Sequence, residues 1–174
     1  LASPEKEYMI HQNEFESSDD HVFNIFLSPE RRSIVEKIKE GTPLEELAYV
    51  TVGINTGYIK DVLVSDEKED DRHHRMVSGK HIDRYHLDWN GDWICYDHDL
   101  IEEYGDKARS LPPEYIFLND KILLQRTRRG LDRKLVATLD TEQHYNLNRA
   151  SNIVLDEETP YELGYILALM NSNL

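Results

Sequence analysis

The stretch YHLDWNGDWICYD, Tyr85–Asp97, carries the strongest local pattern in the chain. Apolar and polar side chains alternate on both sides of Asn90-Gly91, the residue pair that best supports a tight two-residue turn. The pattern predicts a β-hairpin, and strand signals continue on either side of it. Ala48–Val52 and Ile59–Val64 precede it; Tyr115–Leu118, Ile122–Thr127, Leu135–Leu139 and Asn152–Leu155 follow. Helix signals sit toward the two ends. Ser28 stands as an N-cap before Pro29, with Ile34, Val35 and Ile38 on one face and Gly41 as the stop. Thr42 and Glu45 have capping-box spacing and predict a short helical turn. Near the other end Thr159, Pro160 and Glu162 form a capping box ahead of the apolar stripe Leu163, Ile166, Leu167 and Met170. A further short helix is expected over Asp97–Arg109, ended by Pro112-Pro113. The expected class is α+β: a strand-rich, mostly antiparallel sheet core with a capping helix near each end.

Residues 1–41 read as an acidic lead-in and connector helix, and 42–174 as the main domain. The first residue is Leu1 and the last, Leu174, falls within the final helical pattern, so we expect an excised piece of a longer polypeptide, truncated at its C-terminus. Of the 174 residues 39% are hydrophobic, enough for a real core and against wholesale disorder. No apolar run approaches the ~20 residues that span a bilayer. Cys95 stands alone, which excludes an internal disulfide and points to a reducing compartment.

Charge is uneven along the chain, and this is where function enters. The net charge is −14, yet Lys121–Lys134, KILLQRTRRGLDRK, holds six bases and one acid. A single basic segment in an acidic chain is a candidate anion-binding surface, with nucleic acid the obvious polyanion. The competing reading is a surface hairpin whose arginines pair with the surplus carboxylates. On a strand, residues two apart share a side, so Arg126 and Arg128 would project together. Arginine forks match phosphates and the O6/N7 edge of guanine, Gln125 suits adenine, and Thr127 suits a phosphate.

Other constellations carry less. His73-His74, beside Asp70, Asp71 and His81, lack metal-ligand spacing and read as part of an exposed charged loop, Asp66–Arg75. Cys95 lies in an alternating strand and reads as a buried small hydrophobe. Tyr85, Trp89, Trp93 and Tyr96 suit either a base-stacking platform or cross-strand core pairs, and core is the preferred reading. SLPPEY, Ser110–Tyr115, superficially resembles the NPPY motif of adenine-N6 methyltransferases but lacks its asparagine and carries Glu114 before the tyrosine. No nucleophile, base and metal set is present, so the fragment is read as non-catalytic.

Four blocks in order then resemble one family. They are PLEELAYVTVGINTG (Pro43–Gly57), GKHIDRYHLDWNGDWICYD (Gly79–Asp97), IFLNDKILLQRTRRGL (Ile116–Leu131) and LNRASNIVLDEETPYELGYILALMNS (Leu147–Ser172). Together they resemble the TaqI-like C-terminal specificity domain, the target recognition domain of type IIG restriction–modification enzymes and related adenine methyltransferases. The resemblance implies a module that recognises double-stranded DNA and positions it for adenine-N6 methylation, and in some parents cleavage, by other domains of the same chain. S-adenosylmethionine, and Mg2+ where the parent cuts, would belong to those domains and not to this fragment. A cytoplasmic location in a bacterium or archaeon is likewise implied. Carried onto this sequence, the DNA-binding candidates are Lys121, Gln125, Arg126, Thr127, Arg128, Arg129, Arg133 and Lys134, flanked by Asn55, Thr56, Lys80 and Arg84. The alternatives are a single-stranded nucleic-acid binder using the aromatic stretch, and a protein-interaction module without DNA sequence specificity.

Overall fold

The computed structural model describes residues 9, 11–12, 28–126 and 135–172. The chain divides into two units, Leu1–Glu46 and Leu47–Leu174. In the first, helix α1 (Pro29–Lys39) starts as its sequence predicts: Ser28 is extended and its side chain accepts a hydrogen bond from the Arg31 N–H at 3.5 Å. The Gly41 N–H donates to Ile38 O just beyond the helix end. A short 3-10 turn, Leu44–Glu46, closes this unit.

The second unit is built on a four-stranded antiparallel sheet. Its strands are β1 (Ala48–Val52), β7 (Lys121–Gln125), β8 (Ala137–Asp140) and β10 (Ala150–Leu155), in the spatial order β1-β10-β7-β8. A second sheet joins β2 (Val64–Ser65), β6 (Trp93–Cys95), β3 (His73–Val77) and β9 (Tyr145–Asn146) in that order, with β3 and β9 parallel. Among the described residues a two-stranded ribbon, β4 (Ile82–Asp83) with β5 (His86–Leu87), completes the strands. Helices α2 (Lys60–Leu63), α3 (His98–Tyr104), α4 (Tyr115–Leu118) and α5 (Leu163–Met170) are short. The α+β, mainly antiparallel expectation therefore holds.

Among the described residues, two apolar clusters stand out in this unit. Ile54, Leu63, Ile94, Ile116, Phe117 and Tyr145 centre the larger one, where Tyr145 stacks between His74 (4.1 Å) and Phe117 (4.5 Å). Its hydroxyl donates to Glu114 Oε1 at 2.8 Å, and burial together with that bond raises the phenol above its ordinary value. Val77, Ile82, Leu123, Val136 and Ala150 form the smaller cluster. Cys95 is buried, as expected, and burial raises its thiol.

Several local expectations are corrected. Asn90-Gly91 does not join a hairpin: β5 pairs with β4, whereas β6 pairs with both β2 and β3. Gly91 keeps its positive φ of 96°, but the Trp89 indole donates to Asp92 O and the Asn90 amide to Asp92 Oδ2, folding the turn onto itself. Long-range pairing that buries Ile94 and Cys95 outweighs the turn chemistry. The segment Ile59–Val64 is not a strand: α2, Lys60–Leu63, occupies most of it, and only Val64 begins the two-residue β2. Ile59 and Leu63, four apart, are both buried while Val62 is exposed, which is helical spacing. Tyr115–Leu118 is also helical, because Pro113 and Glu114 start a turn that buries the adjacent Ile116 and Phe117. The last helix begins at Leu163, not at Pro160, since Asp156–Thr159 closes a turn of its own. His73 is not loop: it lies buried at the start of β3, its Nδ1 2.8 Å from Asp70 Oδ1.

Candidate nucleic-acid interface

The ends of all four strands of the first sheet converge. Val52 lies opposite Ser151, Ala150 opposite Gln125, and Leu124 opposite Ala137. The last residues of β1 and β7 and the first residues of β8 and β10 therefore make one rim. After β1 the chain turns through Gly53–Gly57, and two short contacts hold this turn in place. The Gly53 N–H donates to Ala150 O at 3.1 Å, and the Asn148 N–H to Ile54 O at 2.9 Å. A Cβ at Gly53 would run into the Asn146 backbone, so only glycine permits this approach. Asn55, exposed on the rim, accepts the Gly57 N–H with its own side chain at 3.2 Å. Thr56 is half-buried and its carbonyl accepts the Ile59 N–H.

A second approach brings Lys80 in. Gly79 begins a 3-10 turn, Gly79–His81, directly against the rim: a Cβ there would meet Arg149 O at 2.8 Å and Gln125 Cγ at 3.5 Å. Lys80, exposed, is thus placed beside Gln125 and Arg149. The Arg126 N–H donates to Arg149 O at 3.0 Å and its guanidinium to Asn148 O at 2.7 Å, which orients an otherwise exposed side chain. Lys80, Arg126 and Arg149 thereby set three cations about Gln125, and the Asn148–Ile54 hydrogen bond ties the turn that carries Asn55 to the same rim.

Of the sequence candidates, the structure gathers Asn55, Lys80, Gln125 and Arg126 on this rim. Thr127, Arg128, Arg129, Arg133 and Lys134 lie outside the described residues. Arg84 is committed internally: its guanidinium donates to Asn171 O at 2.6 Å. Lys121 is a correction. It sits at the opposite end of β7, wholly buried, with Nζ 2.6 Å from Asp140 Oδ2 and donating to Phe117 O at 2.9 Å. Its strand position faces inward, so it takes no part in an external surface. Arg149 and Asn148 escaped the sequence reading because they lie outside the basic run, and only the register of β10 against β7 brings them to it.

The opposite end of the sheet has the opposite charge. A groove of about 610 Å³ there is lined by Asp120, Asp156, Glu157 and Glu162 among others. An acidic chain can therefore keep a basic rim by segregating its charge. The aromatics divide as well. Trp89 and Trp93 are half-buried and pack edge to face at 5.3 Å, while Tyr96 donates its hydroxyl to Pro112 O in the core.

Residues 74–174 match the family model of the TaqI-like C-terminal specificity domain. The chain belongs to that family. The TaqI-like specificity domain is a DNA-recognition module of restriction–modification enzymes, not their catalytic part. The matched span contains Lys80, Gln125, Arg126, Asn148 and Arg149, whereas β1 and the Gly53–Gly57 turn precede it. No curated protein matches the chain. Among the described residues, no helix is long and apolar enough to cross a membrane, and no three His, Cys, Asp or Glu side chains group as metal ligands.

Proposed function

We propose that this chain reads a short word in double-stranded DNA and seats the duplex for adenine-N6 methylation by another domain of its parent. The methyl group would come from S-adenosylmethionine bound in that other domain, and the setting would be the cytoplasm of a bacterium or archaeon. The observation that carries the reading is the convergence of Asn55, Lys80, Gln125, Arg126 and Arg149 on one rim in a member of a specificity family. Cations there neutralise phosphates and fix register, while Gln125 and Asn55 offer the paired donor and acceptor that suit a base edge. Arg128 and Arg129 belong to the same reading as base or phosphate contacts.

The test is methylated-base mapping in cells that express the full-length parent gene, as wild type and with Lys80, Arg126 and Arg149 changed to alanine. The wild type is expected to mark one adenine-containing word, and the triple variant to lose or broaden it. A wild type that marks nothing would remove the methylation reading. A variant that marks the same word as fully as the wild type would place the reader elsewhere.

A further inference from the structure

Tyr85 occupies the second central position of the turn between β4 and β5, where Asp83 pairs with His86. Its φ is 59°, in the left-handed region, and the residue is 55% exposed. Glycine or asparagine is the usual occupant of such a position, because a side chain there costs free energy. An exposed aromatic gains too little from burial to explain that cost, and residues held this way concentrate at functional sites.

The surroundings hold the ring rather than bury it. The Tyr85 N–H donates to Ala137 O at 3.1 Å, tying the turn to the first residue of β8. The Arg84 guanidinium lies 5.4 Å from the centre of the Tyr85 ring and is itself fastened to Asn171 O. Asn171, buried, grips Ala137 from the other side: its amide donates to Ala137 O at 2.8 Å and accepts the Ala137 N–H at 3.1 Å. Arg84 therefore backs the ring as a fixed platform. Ala137 lies opposite Leu124, next to Gln125, so the turn stands at the basic rim.

We infer that Tyr85 is a base-stacking residue, presenting its ring to the π-face of a nucleobase at an unstacked step of the bound duplex. The inference rests on the DNA-reading function proposed above and adds a contact independent of the cations. Stacking on an aromatic ring needs no particular base, so Tyr85 would supply affinity and hold the distorted step while the rim reads sequence.

The experiment uses the intact chain and a random-sequence duplex pool, from which the wild type selects its word. Binding to that word and melting temperature are then measured for Tyr85→Gly, Tyr85→Asn and Tyr85→Phe. Gly and Asn tolerate the left-handed backbone, so both variants are expected to melt at or above the wild-type temperature. Both should bind the selected duplex roughly 5- to 150-fold more weakly, and Tyr85→Phe should bind within about twofold of wild type. Wild-type affinity in the Gly and Asn variants would overturn the assignment and leave the DNA reading standing. Equal loss in Tyr85→Phe would make the hydroxyl the contact and overturn stacking. Lower melting in both the Gly and Asn variants would make Tyr85 a structural prop and overturn it too. A wild type that selects and binds no duplex would remove the inference and the DNA reading together.

Discussion

Lys121 and Asp140 face each other across the neighbouring antiparallel strands β7 and β8, Nζ 2.6 Å from Oδ2, with both side chains wholly buried. Asp140 is satisfied from every side: His144 Nδ1 lies 2.9 Å from Oδ1, and the backbone N–H groups of Glu142 and His144 donate to its two oxygens. Burial by itself would raise the Asp140 carboxyl, but His144 and Lys121 hold it below its ordinary value. Burial likewise pulls Lys121 below the usual lysine value despite the charge of Asp140. The pair secures the end of the sheet remote from the basic rim.

Lys121→Ala is therefore expected to act on stability. It leaves a buried carboxylate without its cation, a change that typically costs about 3–5 kcal/mol. Urea denaturation should show that loss. The salt dependence of DNA binding by the folded fraction should match wild type, which a Lys121 phosphate contact would contradict.

Lys80, Arg126 and Arg149 predict the reverse pattern. Alanine at each should leave the urea midpoint nearly unchanged and make the log–log salt slope of duplex binding shallower by about 0.9 per phosphate contact removed. Three unchanged slopes would move the DNA face away from this rim.

Asn171→Ala removes both side-chain hydrogen bonds to Ala137 and strands its N–H in the interior. A loss of about 1–3 kcal/mol is expected. Asn171→Asp can still accept the Ala137 N–H but cannot donate to its carbonyl, so it should be no better than partial rescue. Equal stability of all three proteins would show that the clamp contributes nothing.

Gly53→Ala forces a methyl group against the Asn146 backbone. Overpacking of this kind costs about 1–3 kcal/mol, read as a lower thermal midpoint. Because the same turn carries Asn55, weaker duplex binding should accompany it.

Acid should destabilise the fold earlier than its carboxylates alone would require. Burial lowers both His74 and His81 below their ordinary 6.5, and His81 Nδ1 accepts the Ser78 N–H at 3.1 Å, which only an unprotonated nitrogen can do. Between the lowered folded values and 6.5 the unfolded chain binds more protons. The histidine contribution is therefore fully present above about pH 6.5 and lost as pH falls through the folded values. Urea midpoints at pH 7.5 and 5.5 check this, with a smaller drop expected in His81→Asn. An identical drop in that variant would clear His81 of the effect.

Sequence alone determined what depends on short-range chemistry and composition. Ser28 and Pro29 start α1 because a cap acts within one turn, and the β1 strand follows from a run of apolar and β-branched residues. The α+β class, the buried state of Cys95 and the family resemblance were legible in the same way. So was the separation of a basic segment from an acidic chain. Tertiary structure decided everything that required knowing which strands are neighbours. Asn90-Gly91 can turn a chain but cannot choose its partner, so β6 pairs with β2 and β3 instead of β5. Lys121 and Arg126 belong to one basic run, yet five residues of extended strand separate a buried end from an exposed rim. Arg149 and Lys80 join Arg126 only through the β10 register and the close approach of Gly79. Charge can be counted along a chain, but a surface is made by register, which burial of distant side chains sets.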